Sequence, residues 1–238
     1  LILYPRTLRG DAMRRQFQTP FGDRLLGIAS ELLHGAKDER SMAEAVAAYH
    51  AAAEREAEEK GGSRVACGPG CPHCCVLNVS VLLSEAASIA IRLSDDLPAD
   101  ELAGLVMRLH DQRLRVRWME NGERIRLGIG CPFLDAAGSC AVHPYRPIVC
   151  RGFTSFDLAS CKAALDPCDP DAPEFIAMDL RRKVIMEDAY LAMADAMGKS
   201  GMETRCIELS AGVFTFLTEP HLCRLLLSGG RFPSSAWD

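Results

Sequence analysis

The sequence predicts a mainly α-helical protein: a helical scaffold around an irregular, cysteine-rich metal-binding core with little strand. Three observations carry this. Apolar residues recur at helical spacing on both sides of the middle of the chain. Four of the eleven cysteines, Cys67, Cys71, Cys74 and Cys75, stand within the nine residues CGPGCPHCC. Residues 127–170 hold Gly128, Gly130, Pro132, Gly138, Pro144, Pro147, Gly152, Pro167 and Pro170, too many breakers for regular structure. The expected organisation is a helical region over 1–66, a cysteine-cluster region over 67–170 and a helical region over 171–238, packed as one compact domain.

Taken in order, residues 23–36 place Leu25, Leu26, Ala29, Leu32 and Leu33 on one helical face. Ser41 followed by Glu44 reads as a capping box that opens a helix of strong helix formers, ended by Gly61 and Gly62. VLNVSVLL is a short strand or an extended segment, and Ser84 then caps a helix through about Leu93, so that Asp95 and Asp96 mark its terminus and turn. Asp100 opens the next helix, with Leu102, Leu105, Val106 and Leu109 on one face. Helix resumes from Pro173, and further helices are expected over 203–217 and 219–228. Repeats and low-complexity tracts are not seen.

Composition narrows the setting. With 238 residues, 48% hydrophobic and 25% charged, the chain can bury an ordinary core. A net charge of −5 argues against a nucleic-acid partner, whose phosphates demand a basic face. No stretch has the length of apolar sequence that a membrane span requires, so the expectation is a soluble, cytoplasmic protein with no membrane partner. Eleven cysteines is an odd number, and a chain with a real core does not need disulfide staples. No Ser-His-Asp order, phosphate loop or dinucleotide fingerprint is present.

The cysteines therefore read as metal ligands. Thiols packed this densely repel one another as thiolates, whereas a bound cation needs deprotonated sulfur and gathers several sulfurs together. In C-x3-C-x2-C, Gly68, Pro69, Gly70 and Pro72 let the backbone curl so that Cys67, Cys71 and Cys74 converge. Zinc and iron both accept tetrahedral thiolate sulfur at such spacings. In extended backbone Cys74 and Cys75 point to opposite sides, so one of them is expected to face a different metal. With Cys131, Cys140, Cys150 and Cys161 the cysteines number eight, which fits two tetrahedral sites or one polynuclear iron–sulfur cluster plus a second site. The competing reading is one site of four, with the other thiols buried and inert. Cys206 and Cys223, in runs that read as helical, are expected to be core thiols.

Of the residues beside the cysteines, Arg64, Arg146, Arg151 and Lys162 can offset the negative charge of several thiolates; Arg146 and Arg151 are the expected cofactor-binding pair. His73 reads as solvent-facing rather than a ligand, and His143 as a supporting donor or surface residue. Arg108, Arg113, Arg115, Arg117, Arg124 and Arg126, interleaved with Asp111, Glu120 and Glu123, read as the solvated face of a helix followed by a hairpin. Trp118, Tyr145 and Phe153 read as core.

The combination of C-x3-C-x2-C-C with CPFL at Cys131, Pro132, Phe133 and Leu134, Cys140 with His143, and RPxxCR at Arg146, Pro147, Cys150 and Arg151 resembles the YkgJ-type cysteine-cluster family. That family is described as a zinc- or iron-chelating domain. The resemblance covers Cys67 to Cys161 and leaves residues 1–60 and 171–238 outside it. A related branch is the flagellin lysine N-methylase, which carries a similar cluster assigned to 4Fe-4S and transfers a methyl group from S-adenosylmethionine. The resemblance thus implies an iron–sulfur-dependent transferase, by methyl or radical transfer, with a protein or peptide substrate. Many relatives have C-x2-C where this chain has Cys67-x3-Cys71, and Cys168, Cys206 and Cys223 belong to no shared motif, though Cys168 can substitute as a ligand. C-x3-C-x2-C is also the signature of radical S-adenosylmethionine enzymes, whose alternating strands and helices this sequence does not offer. The alternative to catalysis is a zinc-stapled module that recruits a partner.

Overall fold

A computed structural model describes residues 20–61, 65–166 and 175–233. Arg64 and Cys168 lie outside the described residues. The fold is mainly α, with ten α-helices and a two-stranded antiparallel sheet among the described residues. Helix α1 (Pro20–Gly35) buries Leu25, Ala29 and Leu33, three members of the stripe its sequence predicts, and lies along α8 (Leu180–Lys199). Helix α2 (Glu39–Gly61) packs on α1, on α8 and on α3 (Leu83–Asp96). Two predicted caps differ. The Asp38 carboxylate accepts from the Ser41 backbone N–H at 2.8 Å at the start of α2, so Ser41 is inside the first turn rather than ahead of it. At α3 the Leu82 N–H donates to Glu85 Oε2 at 3.1 Å, and Ser84 is buried within the helix against Met197.

Helices α3 and α8 form the centre. Helix α3 buries every residue from Leu83 to Ala90, and α8 buries all from Ile185 to Met197 except Glu187, Leu191 and Asp195 on one face; their Ala-rich faces let neighbours approach closely. The expected helix from Pro173 starts only at Leu180, where the Asp179 side chain accepts from the Arg182 N–H; residues 175–179 precede it, with Met178 bridged to Ser155. Helix α4 (Ala99–Val116) buries Leu105 and Leu109 and packs on α9 (Leu209–Thr218). The hairpin expected after α4 is instead a short helix, α5 (Asn121–Arg126), and Trp118, expected in the core, is 73% exposed.

The segment after the first cysteines is a strand, β1 (Ser80–Leu82), but its partner was not legible in advance. Strand β2 (Cys206–Glu208) pairs Ser80 with Glu208 and Leu82 with Cys206, replacing the first turn of the helix expected over 203–217. Each strand runs directly into a helix, β1 into α3 and β2 into α9, so sheet pairing sets these two helices side by side. Gly212 makes that approach feasible, because a Cβ there would stand 2.9 Å from the Ala86 Cβ and 2.7 Å from Ile207. Cys206 is therefore a strand residue; it and Cys223, on α10 (His221–Leu227), are both buried, as expected of core thiols.

The stretch 127–166 is less irregular than its Gly and Pro content suggests. It holds a 3-10 turn at His143–Tyr145, α6 (Ile148–Gly152) and α7 (Leu158–Ala164). Pro147 stands just ahead of α6, where a missing N–H costs nothing, and Asp157 caps α7 by accepting from the Ala159 and Ser160 N–H groups. Helix α6 lies against α8 so closely that a Cβ on Gly152 would meet Met186 Cβ at 2.9 Å.

Candidate metal centre

Four stretches of chain bring the eight cysteines to one side of the helical core. The first, 65–79, turns at Gly70, whose φ of +79° suits glycine, and the Cys71 N–H closes on the Gly68 carbonyl at 3.2 Å. Cys74 and Cys75 then fall in a 3-10 turn, His73–Val76, not in extended backbone. This corrects the expected opposition of their side chains: successive positions there are about 120° apart. The two thiols meet, with Cys75 donating to the Cys74 sulfur.

The second stretch is a tight reversal over 131–141. Asp135 Oδ1 accepts from the Ala137 and Ser139 N–H groups, both at 2.8 Å, and the Leu134–Cys140 bridge sets Cys131 and Cys140 near one another. Its apex reaches the first loop, since a Cβ on Gly138 would stand 3.5 Å from the Gly70 carbonyl. The third is α6 with Cys150, and the fourth is α7 with Cys161. The entry to the first loop is fixed to the chain between them: the Ala66 N–H donates to the Ser155 carbonyl at 2.7 Å, and the Ser155 N–H donates to Cys67 Sγ at 3.3 Å.

A cavity of about 790 Å³ opens among these stretches, lined by Cys67, Cys71, Cys74, Cys75, Cys131, Cys140 and Cys150. Cys161 is within electrostatic reach of Cys67, Cys71 and Cys74. The predicted eight are thus brought together. Among the described residues, no three His, Cys, Asp or Glu side chains already stand as ligands about one ion. The donor set suits a thiophilic cation nonetheless. Cys71, Cys131 and Cys140 each accept a hydrogen bond from the backbone N–H two residues on, at His73, Phe133 and Val142, a turn that supports sulfur in its charged form.

Without a cation the charged forms conflict. Burial, then neighbouring thiols, pushes Cys131 up to about 12 and Cys150 well above the ordinary thiol range. Cys75 rises as the hydrogen-bond donor to Cys74 and through burial, with Cys74, Cys131 and Cys150 adding to it. Cys74 moves the other way, to about 7, because it accepts that bond and lies near Arg146. One thiolate is favoured at neutral pH, and its charge discourages the next.

Two buried arginines brace the cysteine stretches. Arg124, 2% exposed, donates from Nε to the Ile129 carbonyl at 3.0 Å and from Nη1 to Asn78 Oδ1 at 3.1 Å, with Glu208 3.8 Å away. It thereby fixes the approach to Cys131. Arg151 donates from Nε to the Arg146 carbonyl at 2.8 Å and from Nη2 to the Pro144 carbonyl at 2.9 Å, and it shares Glu54 with Arg182. Its donors hold the loop before Cys150. Burial lowers the pKa of both guanidiniums, against the pull of their carboxylates. The sequence reading placed Arg124 on a solvated face; the structure overturns this. A basic residue among Glu120, Glu123 and Arg126 carries no local sign that it turns inward, and the only cue was Gly128 and Gly130, whose bare carbonyl-bearing turn needs donors.

The other flagged residues divide. Arg146 lies within reach of Cys74, Cys140 and Cys150 and contacts the exposed His143, Nη1 to Nε2 at 2.9 Å. His143 and Phe153 line the cavity, whereas Lys162 is exposed. Searches against family models, curated proteins and solved structures find no match to this chain.

Proposed function

We propose that the chain is a metal-binding protein whose eight cysteines hold an iron–sulfur centre, 4Fe-4S among the forms that fit. On this reading it modifies a protein or peptide with S-adenosylmethionine as donor, a transferase by methyl or radical transfer. The observation that carries the metal reading is the convergence of eight thiols from four stretches, seven of them lining one cavity and Cys161 within electrostatic reach of three of those. No apolar core needs thiols that destabilise each other's ionised forms, and a cation removes that conflict. Cys67, Cys71, Cys74, Cys75, Cys131, Cys140, Cys150 and Cys161 are the metal-holding residues, with Arg146 beside the sulfurs as charge compensation and Arg151 as the brace of its loop. An iron–sulfur centre supplies electrons and an iron able to act as a Lewis acid. The resemblance to the YkgJ-type family and its methylase branch supports the transferase half, and the cavity volume leaves room beyond a cluster for a small donor.

A second reading, structural zinc in a non-catalytic interaction module, is favoured by one feature. Cys75, Cys131, Cys140 and Cys150 lie near one another beside the buried Phe133, Val142 and Ile148, and four thiolates are the ligand count of a structural zinc site. Anaerobic purification separates the two. Broad visible absorbance in the blue, lost on reduction, with iron in the protein, supports the iron–sulfur reading; a colourless protein with stoichiometric zinc under the same conditions overturns it.

A further inference from the structure

Helix α4 hides one face and shows another. Leu105, Leu109 and Val116 are buried, with α9 packed alongside, whereas Met107, Leu114 and Trp118 are 65%, 50% and 73% exposed. These three share a face with Asp111: positions 107, 111, 114 and 118 follow the 4-3-4 spacing of a seam made for a second helix. Arg117 keeps helical dihedrals, φ −47° and ψ −39°, and the Met119 N–H closes on the Val116 carbonyl at 3.0 Å, so the turn carries on through Trp118. The stripe ends at Gly104 and Asp100, the next seam positions towards the N terminus, which leaves about three turns, or roughly 17 Å, of helix.

The flanks of this stripe are basic. Arg108 and Arg115, both exposed, run along one side, and Glu101 on that side lies beyond the end of the stripe. Arg117 stands on the other side, its guanidinium carbon 5.0 Å from the centroid of the Trp118 ring. His110 precedes it there, its ring against Phe214 with centroids 5.5 Å apart. From Met107 to Trp118 the chain carries four arginines and one carboxylate, in a protein whose net charge is −5. Residues beside an apolar seam choose its partner by charge. Two copies of this face would set arginine beside arginine in either direction. A membrane would draw the Asp111 carboxylate, its side chain 84% exposed, out of water in the middle of the stripe.

We infer that this face of α4 is a docking surface for an acidic amphipathic helix of a partner protein. Apolar residues of that helix cover Met107, Leu114 and Trp118, its carboxylates pair with Arg108, Arg115 and Arg117, and a basic residue meets Asp111. Trp118 is the anchor, since a large exposed aromatic gains most from leaving water. A polar pair inside the seam fixes register at some cost in affinity, and the arginines select an acidic partner and speed its encounter. The docking face shares none of its residues with the cysteine cavity, so it adds to the function proposed above whatever the sulfurs hold.

Fluorescence anisotropy of a labelled synthetic helix, titrated with the full chain, tests this. The peptide carries leucine at its seam positions, glutamate on both flanks and one lysine placed to meet Asp111; a second peptide has lysine in place of each glutamate. The wild-type chain should bind the glutamate peptide at least about tenfold more tightly than the lysine peptide, the scale of close charge pairs across an interface. Arg108→Glu combined with Arg115→Glu should abolish that preference, and Trp118→Ala should weaken the glutamate peptide at least about tenfold, as loss of a central aromatic does. All three side chains are exposed, so the variants should keep the wild-type thermal midpoint. Equal binding of the two peptides, no binding of the glutamate peptide, or variants that bind as the wild type does would each overturn the assignment. So would Trp118-dependent sedimentation with phosphatidylserine vesicles in place of peptide binding, which gives the face to a membrane, or a dimer of the full chain that Trp118→Ala dissociates, which gives it to a second copy.

Discussion

Helices α3 and α8 and the cysteine loops are both enclosed by protein, but by opposite means. The helices carry Leu83, Ile89, Ile185, Met193 and Met197, each at most 1% exposed, and their backbone groups are satisfied within the helix. The loops bury few apolar side chains, and their carbonyls are met by Arg124, Arg151 and Arg182. Apolar packing resists local change in proportion to area, whereas a polar brace holds only while each partner is in place. The helical region is therefore expected to hold without the loops, and on the metal reading the loops depend on the ion.

Metal removal should separate the two regions most. Structural metal contributes on the order of 10 kcal/mol in small sites. Chelation of the loaded protein, followed by amide hydrogen exchange, should raise exchange strongly over 65–79 and 129–161 and leave α3 and α8 protected. Loss of protection in α3 and α8 in step with the loops would show that the helices have no independent stability.

Met193→Ala should act on the other side. Met193 is wholly buried in α8, and such a truncation costs roughly 2–5 kcal/mol through lost burial and a residual cavity. The thermal midpoint should fall while metal per chain stays unchanged in elemental analysis. Metal loss at temperatures where the helices remain folded would mean that the regions are coupled through α8, against which α6 packs at Gly152.

The same contrast explains what the sequence disclosed. Helices α1 and α4 announce themselves because one face is buried and the other wet, so period and burial agree. That the cysteines come together was legible because closely spaced thiols in a Gly-Pro loop curl towards one point. Strand β2 was not, since three residues gain their pairing from β1, far away in sequence, and nothing local distinguishes Cys206–Glu208 from a helix start. Arg124 was hidden for a similar reason: its partners at Asn78 and Ile129 exist only after folding. The Cys74–Cys75 geometry was misjudged from an assumed extended backbone, and a 3-10 turn reverses the inference from two sulfurs held apart to two in contact.

The smallest change tests whether the loops answer to local hydrogen bonds without any loss of core. Asp157 accepts from Ala159 N–H at 2.9 Å and Ser160 N–H at 3.1 Å, and it is exposed, so Asp157→Ala removes a cap and little else. Losing such a cap costs about 1 kcal/mol, and for a chain of this size that shifts the thermal midpoint by no more than about 4 °C. Helix α7 has seven residues and only this side-chain cap, so much of the cost falls on its first turn, one turn before Cys161. On the metal reading, metal should then leave this variant faster than it leaves the wild-type chain, measured as release into a chelator. Release at the wild-type rate would mean that the first turn of α7 does not brace the cysteine loops.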